Sequence, residues 1–147
     1  MTTEAARRLF DLDLWILGAA HFLILFASFQ VPYRLGWKKD LAQLMPFNRK
    51  LLWVQGGFTV LTIVAFGTLT LILHGEMLRG DRAALALICF IGIYWSTRIV
   101  VDAVYFSHAD WPIGREFTVG HILLTSLFLF LAASYLGLFI WHVWLKS

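Results

Sequence analysis

An arginine and an aspartate lie four residues apart inside a long hydrophobic run of this 147-residue chain. Arg98 and Asp102 occupy positions i and i+4, which share one face of an α-helix, so their side chains can form an ion pair. An ionisable group at the depth of a bilayer core costs several kcal/mol unless it is paired, reaches the interface or faces water. The sequence therefore predicts a buried ion pair in a protected or wet place within the protein.

Other polar residues fall on helix faces that we expect to point inward, because lipid-facing polar groups are penalised. With a helical rise of about 1.5 Å per residue, most of them lie in the same half of the membrane as Arg98, whereas His21 lies nearer the centre. The candidate ligand-binding residues are His21, Gln30, Gln55, Tyr94, Arg98, Asp102 and His121. Together they predict a polar intramembrane pocket.

Three interpretations of this polar group stay open. Arg98 and Asp102 can form a purely structural ion pair that fixes helix packing, with the other polar residues satisfying it. The same groups can form a pocket for a head group, a carboxylate or a quinone, or they can contact a partner subunit. If the site is catalytic, His121 and Asp102 are the candidate catalytic residues, with His121 as acid/base and Arg98 as an anion clamp.

The sequence lacks the motifs of several kinds of catalytic and metal site. The sequence has no GxSxG nucleophile motif, no P-loop and no HExxH, and its single cysteine, Cys89, rules out an internal disulfide or a cysteine-rich zinc site. We therefore predict no metal site and no cofactor. Haem b is the alternative, but His21 and His121 differ in depth by about 12 Å. His74 and His142 do share one end, where interfacial solvation is the simpler explanation.

The composition indicates a membrane protein. Hydrophobic residues make up 60% of the chain and charged residues only 14%, against about 25% in average soluble proteins. The formal charge of +3 is spread over short loops. A concentrated basic face is therefore missing, and nucleic acid is not an expected partner.

The hydrophobic runs predict an all-α integral membrane fold, with residues 1–147 forming a single domain. We expect a four-transmembrane-helix bundle with spans at about 12–33, 51–74, 83–106 and 117–144, because each run reaches the roughly 20 residues that a bilayer core demands. Apolar residues spaced along about 37–46 predict a short interfacial helix between the first two spans. Tryptophans near the span ends favour the same placement.

The membrane location and the role of the chain are predicted from its positive charges and from the motifs that it lacks. Five of the lysines and arginines lie in the loop 34–50, which favours a cytoplasmic position for that loop in a bacterial inner membrane. We expect membrane lipids as partners, together with other membrane subunits or further copies of the chain. An accessory or binding subunit is the preferred role, since no nucleophile or cofactor motif is present. The alternative is a small enzyme or binding protein for a lipid, isoprenoid or quinone-like molecule.

Overall fold

The computed structural model describes residues 3–106 and 114–145, and these residues form helices and short connections without a strand. The helices are α1 (Thr3–Arg34), α2 (Trp37–Asp40), α3 (Pro46–Ile72), α4 (His74–Arg79), α5 (Arg82–Tyr105) and α6 (Arg115–Ile140). A 3₁₀ turn, Leu41–Gln43, follows α2, and a π-helical turn, Trp141–Leu145, extends α6.

Four of these helices are long and apolar enough to cross a membrane: Glu4–Arg34, Pro46–Ile72, Arg82–Tyr105 and Arg115–Trp144. The shortest, α5, has 24 residues and is about 36 Å long, which exceeds the roughly 30 Å of a bilayer core. The prediction of an all-helical chain with four membrane-length spans is confirmed.

The connections follow local backbone chemistry. Pro46 opens α3, a position that suits proline because the first helical N–H has no partner inside the helix. The residues before it are extended, so the helical part of the predicted 37–46 segment ends at Gln43. Gly80 ends α4 with φ +82°, a left-handed conformation that favours glycine.

The buried side chains lie in one half of the structure. We call this half the packed end; it comprises α1 residues 14–25, α3 residues 63–70, α5 residues 84–95, and α6 residues 128–138 with Trp141. At the opposite, open end, residues 46–62 of α3, 96–105 of α5 and 115–127 of α6 include no buried side chain. The four helices therefore share a core at the packed end, whereas at the open end their side chains are only partly buried or exposed.

Small residues allow the closest approaches at the packed end. A Cβ placed on Gly67 of α3 would lie 3.0 Å from the Cβ of His21 and 3.3 Å from the carbonyl oxygen of Gly18 in α1. A Cβ on Gly92 of α5 would meet the side chain of Leu136 in α6 at 2.8 Å. The backbones of α1 and α3, and of α5 and α6, thus pack at distances that glycine permits.

Candidate functional site

A cavity of about 1140 Å³ occupies the open end, between the C-terminal half of α1 and the facing parts of α5 and α6. Its walls are mainly apolar and include Leu23, Phe26, Phe117, Leu123, Leu127 and Phe130. The volume slightly exceeds the roughly 300–1,000 Å³ typical of small-molecule sites. The open end therefore forms a large pocket that is lined mainly by apolar side chains.

The structure brings four of the seven predicted binding residues to this cavity. Gln30 lines it from α1, Arg98 and Asp102 from α5, and His121 from α6. Arg34, at the end of α1, lines it as well and was missed by the sequence analysis. These residues place a polar group against the apolar walls.

Asp102 turns toward α6. Its Oδ2 lies 3.6 Å from Nε2 of His121, within ion-pair range but longer than a good hydrogen bond, and 3.4 Å from the hydroxyl of Thr125, which donates to it. The predicted Arg98–Asp102 ion pair is wrong: within the described parts of the chain, no oxygen of Asp102 comes within 4.0 Å of the guanidinium. The i,i+4 spacing permits such a pair, but α6 packs along α5 and offers the carboxylate other contacts.

Arg98 extends deeper into the membrane-spanning region. Its Cζ lies 5.8 Å from the ring centroid of Phe128, and its charge also interacts electrostatically with Tyr94. Phe128 is 13 residues beyond Arg115, so the arginine points to a level about 20 Å from the start of α6, whereas His121 lies about 9 Å from it. Helical side chains tilt toward the helix N-terminus, which for α5 is the packed end.

Arg34 and Gln30 lie nearer the opening of the cavity. Nε of Arg34 donates to Oε1 of Gln30 at 3.1 Å, and the amide nitrogen of Gln30 lies 3.4 Å from the carbonyl oxygen of Phe26. Both contacts join residues one turn apart on α1. Arg34 therefore reaches the cavity with a neutral amide as its neighbour.

His21 lies outside the cavity, at the centre of the packed end, and is fully buried. The indole N–H of Trp95 donates to its Nε2 at 3.1 Å, and its Nδ1 lies 2.8 Å from the carbonyl oxygen of Leu17. Because an indole nitrogen only donates, Nε2 must accept, and the proton of a neutral imidazole resides on Nδ1. Both ring nitrogens are thus engaged, which leaves no lone pair of His21 for a haem iron.

A second buried polar pair lies beside this histidine. The hydroxyl of Thr70 donates to the carbonyl oxygen of Phe66 at 2.7 Å, so the hydroxyl of Tyr135, 2.6 Å away, donates to Thr70. The ring of Tyr135 also contacts His21, with centroids 5.9 Å apart. Side chains of α1, α3, α5 and α6 therefore meet around one imidazole.

The remaining predicted binding residues do not reach the cavity. Gln55 is exposed on α3, and the Tyr94 ring packs against Phe66 and Trp95 with centroids 5.1 and 5.3 Å away. Sequence analysis assigned the inward face of α5 to Tyr94, whereas Trp95 is the buried neighbour. The apolar spacing Ala84, Ile88, Ile91, Trp95 could have indicated this face.

The arrangement can bind an amphipathic molecule and exchange a proton at His121, which lies beside a carboxylate. Within residues 3–106 and 114–145, no cluster of three or more histidine, cysteine or acidic side chains could hold a metal ion. Comparison of the chain with models of protein families, with curated proteins and with solved structures finds no match, so no property of a known family is carried over to these residues.

Proposed function

We propose that this chain is a binding subunit of a bacterial inner membrane, in which the cavity at the open end holds an amphipathic membrane molecule. The four long helices form a transmembrane bundle, residues 37–43 lie along the interface, and the loop 34–50 faces the cytoplasm. The chain acts as an accessory protein that presents or retains this molecule within a membrane complex.

The proposal rests on the cavity that separates α1 from α5 and α6 at the open end. Protein interiors are close-packed, and the packed end of this chain conforms to that rule, whereas the cavity does not. The volume of about 1140 Å³ lies just above the upper end of the range for small-molecule sites, which is compatible with a molecule that has one long chain and a polar head.

The distribution of polar groups orients the molecule. Arg98 and Asp102 of α5 and His121 of α6 line one part of the cavity. Apolar side chains, including Phe26 and Leu123, line the rest. A hydrocarbon chain fits the apolar wall without loss of hydrogen bonds, and a polar head relieves the desolvation of the ionisable groups.

A substitution that fills the cavity tests the proposal. Gly120 lines the cavity on α6, and a Cβ added there meets no atom within 4 Å. Gly120→Trp should therefore fold, and it should reduce the amount of amphiphile that co-purifies with the protein in mild detergent, measured by native mass spectrometry. Gly137→Trp is the matched control, because Gly137 lies on the same helix, has equally open space and does not line the cavity.

Equal amounts of amphiphile in both variants and in the parent would contradict the proposal. So would a stoichiometric partner subunit in place of any bound amphiphile, since a partner helix would then be what fills the cavity.

The contact between His121 and Asp102 favours a second candidate, a small enzyme that acts on a lipid, isoprenoid or quinone-like molecule. A histidine 3.6 Å from a carboxylate and adjacent to a ligand cavity can accept and return a proton. In that case His121→Gln should retain the bound amphiphile but stop its conversion, which chromatography of the extracted lipids would detect. Unchanged conversion would remove His121 from the chemistry.

A further inference from the structure

We propose that the molecule in the cavity carries an anionic head group, a phosphate or a carboxylate, which binds the guanidinium of Arg98. This inference rests on the proposed function, because it names the class of the amphiphile that the cavity holds. The charges along the cavity, the depth of Arg98 and the geometry of its side chain support it.

The charged groups of the cavity are unevenly matched. Asp102 contacts His121 and Thr125. By contrast, Arg98 faces the ring of Phe128, and the recorded neighbour of Arg34 is a neutral amide. In the described part of the chain, neither arginine has a carboxylate within ion-pair distance, although Asp102 and Glu116, which also lines the cavity, balance the two arginines in formal charge. The guanidinium of Arg98 is therefore not neutralised by direct contact with a carboxylate.

Glu116 does not compensate this charge at Arg98. It is an exposed residue in the first turn of α6, where the helix dipole favours a carboxylate. Phe128, which marks the level of the guanidinium, is 12 residues further along α6, or about 18 Å. The two groups thus lie at different depths of the cavity.

Arg98 is exposed toward the cavity and is not covered by protein, so its depth favours a counter-ion inside the cavity. A lysine or arginine near a helix end can extend its charge to the interface, but Arg98 extends toward the packed end. A cation held in that direction costs several kcal/mol unless water or an anion reaches it. A head group drawn into the cavity supplies the anion, and the planar guanidinium binds phosphate or carboxylate oxygens through two parallel hydrogen bonds.

The packed core sets the end point for the head group. Trp95 is 2% exposed and stacks on Phe128 with centroids 5.0 Å apart, so aromatic side chains close the cavity directly beyond Arg98. The packed core therefore bounds the site beyond Arg98, and the head group is retained at that level.

Two lipids that differ only by a phosphate test the inference. We suggest titrating the delipidated full-length protein in detergent with 1-oleoyl lysophosphatidic acid and, separately, with 1-oleoylglycerol, and measuring the bound fractions by native mass spectrometry. The expected result is binding of the phosphate lipid at least tenfold tighter than binding of the neutral lipid. Inorganic phosphate, added as competitor at the concentration of the lipid, should not displace it, because the chain contributes to binding.

Variants of Arg98 test whether this residue causes the preference for the phosphate lipid. Arg98→Gln should bring the two affinities close together, whereas Arg98→Lys should retain part of the preference because it retains the charge. Arg82→Gln is the matched control, since Arg82 is exposed at the start of α5 and does not line the cavity. Thermal unfolding of each variant in detergent verifies its fold. The comparison of lipids on the parent protein stands even where a variant does not fold.

The outcomes separate the inference from the function on which it rests. Equal affinities of the parent protein for both lipids, or a preference that survives in Arg98→Gln, would overturn the anionic head group while leaving the cavity as an amphiphile site. Displacement by inorganic phosphate would assign Arg98 to a free anion and also overturn it. Failure of the parent to bind either lipid would overturn the proposed function and the inference together.

Discussion

The hydrogen bond between Trp95 and His21 offers a quantitative test of the packed end. Both side chains are almost completely buried, and the indole N–H is the donor that Nε2 of His21 accepts. Trp95→Phe removes the donor, leaves Nε2 unsatisfied and opens space beside Phe128. We expect a loss of about 2–4 kcal/mol in the free energy of unfolding, from the unsatisfied acceptor and the cavity together.

The complementary change, His21→Leu, leaves the indole N–H of Trp95 unsatisfied at a similar cost of about 1–3 kcal/mol. The double variant has neither polar group, so its loss should be smaller than the sum of the single losses. Hydrogen bonds between membrane helices average about 0.6 kcal/mol and reach about 1.7 kcal/mol in double-mutant cycles, and we expect a coupling near 1 kcal/mol for this fully buried pair.

Equilibrium unfolding in mixed micelles with increasing sodium dodecyl sulfate measures these free energies. A second cycle with Tyr94→Phe in place of Trp95→Phe is the control, because Tyr94 packs against Trp95 and Phe66 but makes no recorded hydrogen bond to His21. Additivity within about 0.3 kcal/mol in the Trp95 cycle would refute the hydrogen bond as described. A coupling of equal size in the Tyr94 cycle would assign the effect to ring packing instead.

Three further predictions concern pairs of positions that differ in one respect. Thr70→Val should destabilise the protein more than Tyr135→Phe, by about 1 kcal/mol in the same unfolding assay, because it leaves the buried tyrosine hydroxyl without an acceptor, whereas the Thr70 hydroxyl keeps its bond to a carbonyl; the reverse order would contradict the assigned donors. Gly67→Ala should cost about 1–3 kcal/mol by forcing α1 and α3 apart, and Gly56→Ala, in open space on the same helix, should be neutral or slightly stabilising; equal effects would contradict the close helix approach. In double-mutant cycles of stability, Asp102→Asn should couple to His121→Gln by about 0.5 kcal/mol or more and should not couple to Arg98→Gln. Coupling to Arg98→Gln alone would instead indicate an ion pair between Arg98 and Asp102.

The hydrophobic pattern was sufficient to predict the spans. Length and composition decide whether a helix can cross a bilayer, and the predicted spans differ from the helices mainly at their ends. The first helix begins before residue 12 because its polar lead continues the same helical turns. Pro46 was visible in the sequence, but the point at which α2 gives way to an extended segment was not.

The side-chain partners were less predictable than the helices. Sequence spacing shows which residues share a face, but it does not show which neighbouring helix offers a competing partner, and α6 supplied two contacts for Asp102. The sequence pattern also predicts that Tyr94 and Arg98 lie on the inward face of α5. In the structure, a core of apolar and aromatic side chains governs the packed end, and the polar residues line the cavity.

Because α6 is buried at the packed end and lines the cavity at the open end, a small tilt at one end is amplified at the other. Tyr135 is buried in the packed end, and Phe117, at the cavity, lies 18 residues away on the same helix. That distance is about 27 Å, so a tilt of about 5° around Tyr135 moves Phe117 by roughly 2 Å. Repacking around the buried tyrosine would therefore change the width of the cavity, so a substitution far from the cavity can alter its shape.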